Sequence, residues 1–335
     1  RSLNGEYAFI YVTEKNVVFG VDYFDNRNLW IYHDKDTREL TVASVPNVVS
    51  QKHKNSWRAD GNNIYILDKK NFSLSITSNK IFNLDQKNNH FDYVFEKFEK
   101  AVENRYNHST TTTFLSSGFD SGVIACATQK IFTEVDCVSD PDKEVIATLK
   151  QRIKRHKSAV LPNFKGHQKD KERMFHGILA RNCIWDNPWA NPVINMIKNY
   201  IVKRNKKIVI TGNGGDEIYN DWQQQQLGHI WSKTNGCFPS SLQLVWPWHN
   251  FNGRMQLNNT GIDFMAGYFG IEVRNPLTDI DLVQAWINTT SQKKNSYKSW
   301  MKIYMDQEKY PYTIKKVHAF MDEYKPDKWK ITKKK

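Results

Sequence analysis

The sequence has few cysteines and no long apolar run, and each shortage excludes a class of protein. Four cysteines occur in 335 residues, and none forms a CxxC pair or lies near a histidine at metal-ligand spacing: Cys126, Cys137, Cys183 and Cys237. This pattern excludes a structural zinc motif and favours four buried or half-buried thiols in a reducing compartment over a disulfide framework. Because no stretch of about 18 apolar residues is present, no membrane-spanning helix is expected.

The N-terminus lacks both an initial Met and the basic and apolar segments of a signal peptide. We therefore expect a cytoplasmic protein. The first residue is Arg1, which favours a sequence that omits the start of the gene product.

Acidic residues are the minority, since 35 Asp and Glu stand against 48 Lys and Arg, a formal net charge of +13. Such a charge attracts anions: nucleotides, phosphates, nucleic acid or an acidic partner. Its densest run, 328–335, is more typical of a solvated chain end than of a binding site. No zinc finger, helix-turn-helix or RNP signature accompanies the charge, so nucleic acid is not an expected partner.

The first part of the chain has the pattern of an antiparallel sheet. Short β-rich runs are separated by polar turns and predict strands at 7–12, 17–21, 29–32, 39–44 and 63–68. One of the turns is predicted at 33–36.

The pattern changes near residue 90. Apolar residues at spacings of three and four predict a helix over 91–106. Beyond it, strands predicted at 110–115, 134–138 and 206–211 alternate with helices from 123, over 143–155 and over 193–203. Alternation of this kind predicts an α/β fold with a parallel sheet. The polar segment 85–89 is the predicted boundary, which gives domains 1–88 and 89–335.

The loop 116–121, Ser-Ser-Gly-Phe-Asp-Ser, follows a predicted strand and opens a predicted helix. Free N–H groups at a helix N-terminus favour a bound phosphate, and small residues let the backbone approach it. Asp120 fits such a site if a divalent cation bridges it to phosphate oxygens. The loop has no Walker lysine and is not a P-loop of the GxxxxGK[ST] kind. An ordinary Ser/Gly turn with Asp120 as helix cap explains the local pattern equally well.

A second loop, 211–217, carries Thr-Gly-Asn-Gly-Gly-Asp-Glu after another predicted buried strand. Ligands of parallel sheets bind beyond the carboxyl ends of the strands. The two loops together could enclose a triphosphate and Mg²⁺, with Asp120 and Asp216 as metal ligands.

These motifs resemble those of the asparagine synthetase family. The loop 116–121 is similar to the SGGxDS signature of N-type ATP pyrophosphatases (the PP-loop), and 211–217 to the SGxGxDE loop of the asparagine synthetase branch. The segment 264–279 is similar to MAxGVExRxPFLD. At the N-terminus, 3–9 resembles the LNGxFAF strand of class II glutamine amidotransferase domains, and 22–29 and 42–44 resemble two further segments of that domain.

The resemblance implies a fold and an activity. The fold would be a PP-loop synthetase domain preceded by the C-terminal part of an antiparallel Ntn-type amidotransferase domain. The activity would be asparagine synthesis: a carboxylate, expected to be aspartate, attacks the α-phosphate of ATP, pyrophosphate leaves, and ammonia or glutamine-derived nitrogen converts the acyl-adenylate to an amide. Partners would be these small molecules, and a homodimer is compatible with the family.

The resemblance also implies roles for individual residues. Asp120 and Asp216 would bind Mg²⁺. ATP would contact the following residues: Leu115, Ser116, Ser117, Gly118, Asp120, Ser121, Cys137, Val138, Thr211, Gly212 and Asn213. Asp186 would line the active site, although the segment 185–192 is equally compatible with a proline-rich turn.

The chain departs from the family pattern in the residues that act after ATP binding. No cysteine precedes Cys126 to serve as the N-terminal glutaminase nucleophile. Asn213 stands where asparagine synthetases have a glutamate, and an amide cannot act as a base. In the segment that resembles RxKxxF, Val317 takes the place of the lysine, and Lys316 lies one position earlier. Lys316 is either the cation that stabilises pyrophosphate departure or part of a solvated basic pair.

Two other functions stay open. A related adenylating ligase could use another substrate and close a β-lactam or a peptide ring. Alternatively, a degenerate relative could bind nucleotide or nucleic acid through its basic surface without turnover.

Overall fold

A computed structural model describes residues 3–45, 55–61, 63–78, 81–132, 134–140, 145–156, 158–161, 190–219, 238, 240–242, 256–296 and 298–313. These residues form a mixed α/β structure that contains one parallel sheet of five strands and two antiparallel sheets.

The antiparallel sheets come from the first 78 residues. Their strands are β1 Ala8–Val12, β2 Asn16–Val21, β3 Trp30–Asp34, β4 Glu39–Ala43, β5 Trp57–Arg58, β6 Asn63–Asp68 and β7 Leu74–Ser78. One sheet has the order β1-β2-β6-β7 and the other β4-β3-β5, and every pair is antiparallel. The predicted antiparallel arrangement is thus confirmed. A cluster of buried side chains lies between these strands: Phe19, Val21, Leu29, Ile31, Ala59 and Tyr65.

Two details of this region were predicted wrongly or not at all. The turn predicted at 33–36 begins after Asp34, because β3 and β4 stay paired as far as Asp34 and Glu39. The Asp34 carboxylate accepts a hydrogen bond from the N–H of Asp36 at 2.8 Å and Arg38 has φ of 54°, so this local chemistry fixes the turn. Strand β7 is an edge strand with mainly exposed residues, and it was not predicted although its sequence Leu-Ser-Ile-Thr-Ser alternates apolar and polar side chains.

The parallel sheet is formed by β8 Thr111–Phe114, β9 Cys137–Ser139, β10 Ala159–Val160, β11 Ile208–Ile210 and β12 Glu272–Arg274. Its order is β10-β9-β8-β11-β12, with every neighbouring pair parallel. The predicted parallel sheet is confirmed. The strand predicted at 134–138 is observed at Cys137–Ser139, although the carbonyl of Asp136 already accepts a hydrogen bond from the N–H of Thr113 at 2.8 Å.

The helices are α1 Asp92–Glu103, α2 Phe119–Ile131, α3 Ile146–His156, α4 Ala190–Met196, α5 Gly215–Tyr219, α6 Gln256–Tyr268, α7 Ile280–Asn288, α8 Ser291–Lys294 and α9 Ser299–Gln307. A π-helical turn, Ile197–Ile201, continues α4. Helices α1, α2, α7 and α9 contribute to one large apolar cluster, and α4 and α6 to a second. Helix α2 begins four residues before the predicted position, so Asp120 lies in its first turn.

The strand order places a topological switch point beside β8. From β8 the chain moves outward to β9 and β10, and then returns to the other side of β8 to form β11 and β12. Open α/β sheets bind ligands in the crevice outside the strand ends at such a point. The crevice between β8 and β11 receives the loops 116–121 and 211–217.

Buried polar contacts join the antiparallel part to the parallel part. Arg105 follows α1 and makes ion pairs with Glu6 at 2.9 Å and with Asp279 at 2.8 Å. The carbonyl of Asn288 accepts hydrogen bonds from the N–H groups of Lys87 and Asn88 at 2.9 and 2.7 Å. The segment predicted as a domain boundary is therefore fastened to the end of α7, and the division 1–88 and 89–335 stays a prediction.

Across the described part of the chain, no helix is long and apolar enough to cross a membrane. Cys126 and Cys137 are buried free thiols, as the sequence predicted for them. Cys183 and Cys237 lie outside the described residues.

Candidate nucleotide and cation site

The first loop leaves β8 and turns directly into α2. The N–H of Leu115 still donates to the carbonyl of Val138 at 2.9 Å, so the sheet is paired up to the start of the loop. The Ser116 hydroxyl contacts the Ser121 hydroxyl and accepts from the N–H of Gly118 at 3.1 Å. Gly118 is the N-cap of α2 and has no side chain with which to cap it. The first N–H groups of this helix therefore receive no hydrogen bond from the N-cap side chain, and unpaired N–H groups at a helix N-terminus favour an anion.

Ser117 has a different role from its neighbours. Its hydroxyl accepts a hydrogen bond from the N–H of Val145 at 2.9 Å, and its side chain is buried. The Ser117 hydroxyl thus braces the loop against the start of α3, and only its backbone can face a phosphate.

Arg152 of α3 supports the same loop from behind. Its guanidinium donates to the carbonyls of Ser116 and Gly118 at 2.6 and 2.8 Å, and to the carbonyl of Pro311 at 2.8 Å. The residue is fully buried. A Cβ at Gly122 would lie 2.3 Å from the guanidinium, so only glycine leaves room for it there. Arg152 therefore holds the carbonyls of Ser116 and Gly118 on the side of the loop that faces α3.

The second loop follows β11 and is fixed by Thr211. The N–H of Thr211 donates to the carbonyl of Arg274, and its hydroxyl contacts the Asn275 side-chain oxygen and accepts from the N–H of Asn213 at 3.2 Å. Gly214 has φ of +90°, a conformation that L side chains rarely adopt. These contacts turn the chain sharply from β11 into the short helix α5.

Two glycines allow the second loop to contact the first. A Cβ at Gly212 would lie 2.7 Å from the backbone carbon and the Cβ of Asp120. A Cβ at Gly215 would lie 2.1 Å from Oδ1 of Asp120. No side chain fits at either position without moving Asp120, so these glycines permit the loop contact that the sequence predicted.

A buried lysine holds the two predicted metal ligands together. Nζ of Lys298 lies 2.5 Å from Oδ1 of Asp216 and also contacts Oδ1 of Asp120. The Lys298 side chain is 1% exposed, whereas those of Asp120 and Asp216 are 26% and 35% exposed. Burial raises the pKa of Asp120, Lys298 opposes this rise, and the carboxylates of Asp216 and Glu217 add to it. The arrangement concentrates negative charge around one cation.

Lys298 occupies an unfavourable position for a cation. It is the N-cap of α9 and has φ of 50° and ψ of 39°, in the left-handed region. The N-terminus of a helix dipole repels positive charge. Asp120 and Asp216, by contrast, lie in the first turns of α2 and α5, where the dipole favours a carboxylate. The contact between Lys298 and the two carboxylates offsets its unfavourable position.

The two carboxylates are a partial ligand set for Mg²⁺. Mg²⁺ is commonly bound through one or two protein carboxylates plus substrate phosphates. Among the described residues, no group of three or more His, Cys, Asp or Glu side chains is placed to hold a metal ion. The ammonium that bridges the carboxylates demonstrates that a cation fits between them, so Asp120 and Asp216 fit a metal whose remaining ligands come from a nucleotide.

The other predicted site residues are placed as follows. Leu115, Cys137 and Val138 are buried in the apolar clusters, so only their backbones can contact an adenine. Nδ2 of Asn213 donates to the side-chain oxygen of Asn259 at 3.3 Å. Lys316 and Asp186 lie outside the described residues.

Asn259 extends this contact into the antiparallel part of the chain. Its Nδ2 donates to the side-chain oxygen of Asn26 at 3.1 Å, and that oxygen also accepts from Nδ2 of Asn275 at 2.7 Å. Loop 211–217 is thus joined through Asn213, Asn259 and Asn26 to the segment that follows β2.

Sequence reasoning did not identify Lys298 and Arg152. The signal for Lys298 was a lysine directly before an apolar helix, where the helix dipole disfavours a cation. The signal for Arg152 was its position on the buried face of α3, three residues from Leu149 and four from His156. Both signals are weak without the tertiary contacts.

No protein-family model matches this chain, and no curated protein is significantly similar to it.

Proposed function

We propose that this protein is an ATP-dependent, amide-forming ligase of the asparagine synthetase type. It activates a carboxylate, for which aspartate is the first candidate, as an acyl-adenylate with release of pyrophosphate. Ammonia or glutamine-derived nitrogen then attacks the acyl carbon, the acyl–phosphate bond breaks, and the amide forms with release of AMP. ATP and Mg²⁺ are the proposed cofactors.

One observation carries the proposal: two carboxylates, one from each strand-end loop at the switch point, meet at a buried lysine. Asp120 follows β8, Asp216 follows β11, and Lys298 contacts both. A site for MgATP needs oxygen ligands for the divalent cation and a positively charged side chain for the phosphates. It also needs N–H groups that donate hydrogen bonds to the phosphates. Each of these groups is present in the crevice.

The residues of the chain have distinct roles in the proposed reaction. The backbone of 116–121 binds the phosphates, and Arg152 keeps that loop in position. Asp120 and Asp216 would hold Mg²⁺, which supplies charge neutralisation for the phosphates when it is bound. Lys298 stabilises the charge on the departing pyrophosphate, a role that the sequence had suggested for Lys316. An in-line displacement at phosphorus depends mainly on such positioning and charge stabilisation.

The contacts of Asn213 favour a second candidate reaction on the same adenylating scaffold. Its amide takes part in the contacts with Asn259 and is neutral, so it cannot activate an amine as a base. An intramolecular amine that closes a ring would need less activation than free ammonia, because it is already positioned. Ring closure of a β-lactam or a peptide is therefore the alternative.

The proposed function implies an identity for each of the two parts of the chain. The parallel sheet would be a PP-loop synthetase domain over 89–335. The antiparallel sheets would be the C-terminal part of a class II amidotransferase domain over 1–88. A cytoplasmic location is expected with this activity.

ATP–pyrophosphate exchange across a panel of amino-acid carboxylates tests the proposal directly. We expect exchange with one carboxylate, and we expect Asp120→Asn and Asp216→Asn to lower it by about a hundredfold or more, as when a charge-stabilising group is removed. Asp92→Asn is the matched control, because Asp92 is an exposed acid in the first turn of α1.

The products separate the candidates. Asparagine formation adds one nitrogen to the substrate, whereas ring closure adds none, and mass spectrometry distinguishes them. Nucleotide binding without exchange for any carboxylate would indicate a binding protein without turnover and would refute the ligase. Exchange that survives in Asp120→Asn would remove Asp120 from the metal role.

A further inference from the structure

Lys298 occupies the space in which the two proposed metal ligands converge. Its Nζ lies 2.5 Å from Oδ1 of Asp216 and contacts Oδ1 of Asp120. A Mg²⁺ ion needs ligand oxygens at about 2.0–2.1 Å. An ammonium and a metal ion cannot share the same two oxygens at such distances. In this conformation, Lys298 therefore excludes a metal ion from the two Oδ1 oxygens, and its positive charge opposes a divalent cation at the remaining oxygens of the same carboxylates.

The lysine cannot leave this position without another anion to receive it. Its side chain is 1% exposed, and its position at the N-cap of α9 sets it against the helix dipole. A buried ammonium that loses its partners incurs a desolvation cost of several kcal/mol. The contact with Asp120 and Asp216 is therefore stable until a competing anion arrives in the crevice.

A nucleoside triphosphate would bring both the anion and the metal. The phosphates would bind the N–H groups of the loop 116–121, whose last residues include Asp120 itself. Lys298 would then have phosphate oxygens within reach, and the carboxylates of Asp120 and Asp216 would be released. Phosphate oxygens would also supply the remaining ligands of the metal ion. Among the described residues, no third acidic, His or Cys side chain is placed to join Asp120 and Asp216.

We propose that Lys298 prevents a divalent cation from binding Asp120 and Asp216 until a nucleoside triphosphate has entered the site. Metal binding is then coupled to nucleotide binding, and the free protein has little affinity for the metal alone. This inference rests on the proposed function for the identity of the nucleotide, but its central claim concerns the metal affinity of the nucleotide-free protein.

Binding of Mn²⁺, followed by electron paramagnetic resonance, tests this on the full chain. In the absence of nucleotide we expect Lys298→Met to bind Mn²⁺ at least tenfold more tightly than the wild type. Adding Asp120→Asn to Lys298→Met should abolish the gain. Lys302→Met is the matched control, because Lys302 lies on the same helix and pairs with Asp306 at 2.7 Å near the surface. We expect the control to bind like the wild type.

A non-hydrolysable ATP analogue completes the experiment. With the analogue present, we expect the wild type to bind Mn²⁺ at least tenfold more tightly than the free analogue binds the ion. If the wild type binds Mn²⁺ without nucleotide as tightly as Lys298→Met does, or as tightly as it does with the analogue bound, the inference is overturned. The second result needs only the wild type, so the inference can be overturned even if Lys298→Met fails to fold.

A separate measurement distinguishes failure of the inference from failure of the proposed function. Fluorescence titration with a labelled ATP analogue reports nucleotide binding directly. Absence of nucleotide binding overturns the proposed function. If the protein binds nucleotide, but the wild type and Lys298→Met bind Mn²⁺ equally tightly without nucleotide, only the role of Lys298 is overturned.

Discussion

Replacing Arg152 with methionine should destabilise the protein by disorganising the phosphate loop. Arg152 donates three short hydrogen bonds to backbone carbonyls, those of Ser116, Gly118 and Pro311. Methionine fills a similar volume but donates nothing, so the carbonyls lose a buried charged donor. The loop would lose the contacts that orient it, and the chain at Pro311 would lose its link to α3.

The expected loss in the free energy of unfolding is the cost of the lost hydrogen bonds, reduced by two compensating effects. Each hydrogen bond to a charged donor contributes about 1.5–3 kcal/mol. The carbonyl of Gly118 also accepts from the N–H of Gly122 at 3.2 Å, so it keeps a partner in the variant. Removing the guanidinium also removes its burial cost, which is several kcal/mol. We therefore expect a net loss of about 2–4 kcal/mol, close to the lower limit for breaking a buried charged contact.

Urea unfolding followed by tryptophan fluorescence measures this loss. Arg155→Met is a demanding control, because Arg155 lies one turn away on the exposed side of α3 and also donates three hydrogen bonds, to Gln129, Glu308 and Lys309. Exposed contacts of this kind contribute little, so we expect the control to lose less than about 1 kcal/mol. Equal losses in the two variants would refute the reasoning, since burial would then not be what distinguishes Arg152. A labelled ATP analogue should bind Arg152→Met more weakly and Arg155→Met as the wild type does.

Three further predictions concern burial. Burial lowers the pKa of Lys294 from 10.5 to about 7, so the unfolded state binds more protons than the folded state between these pH values, and the free energy of unfolding should rise with pH across this range. Lys294→Met should be more stable than the wild type at pH 7 and should lose this pH dependence. Urea midpoints at pH 7 and 9.5 measure both effects. Arg105→Met leaves Glu6 and Asp279 buried without their cation and should cost about 3–5 kcal/mol in the same unfolding assay. Burial raises the pKa of Cys137 to about 12, so iodoacetamide at pH 8 should label it only after unfolding, as mass spectrometry of the modified peptides would show.

Local sequence patterns predicted most of the architecture. The β-rich runs separated by polar turns in the first 68 residues predicted antiparallel strands, and the alternation of strands and helices after residue 110 predicted the parallel sheet. Both patterns reflect burial within single elements, so a short window of sequence contains them. Strand β7 was not predicted, although its apolar and polar residues alternate. Four of its five residues are exposed.

The contents of the site were less predictable, because they depend on distant parts of the chain. The small residues and acids of the two loops can be recognised beside their strands. Lys298, however, lies 178 residues from Asp120 in sequence, and only the packing of α9 brings them together. Asn26 and Asn275 are 249 residues apart and are joined in the same way. No local pattern contains such a pairing.

The contacts of Asp120 differ from those of a helix cap. If Asp120 only capped an ordinary turn, it would occupy the N-cap of α2, but that position belongs to Gly118. The Asp120 carboxylate is directed instead toward Lys298, which it shares with Asp216. This contact therefore places two carboxylates, one from each loop, around one ammonium. The second carboxylate is what a cation delivered with a nucleotide would need, and Gly212 and Gly215 are the residues that let it approach.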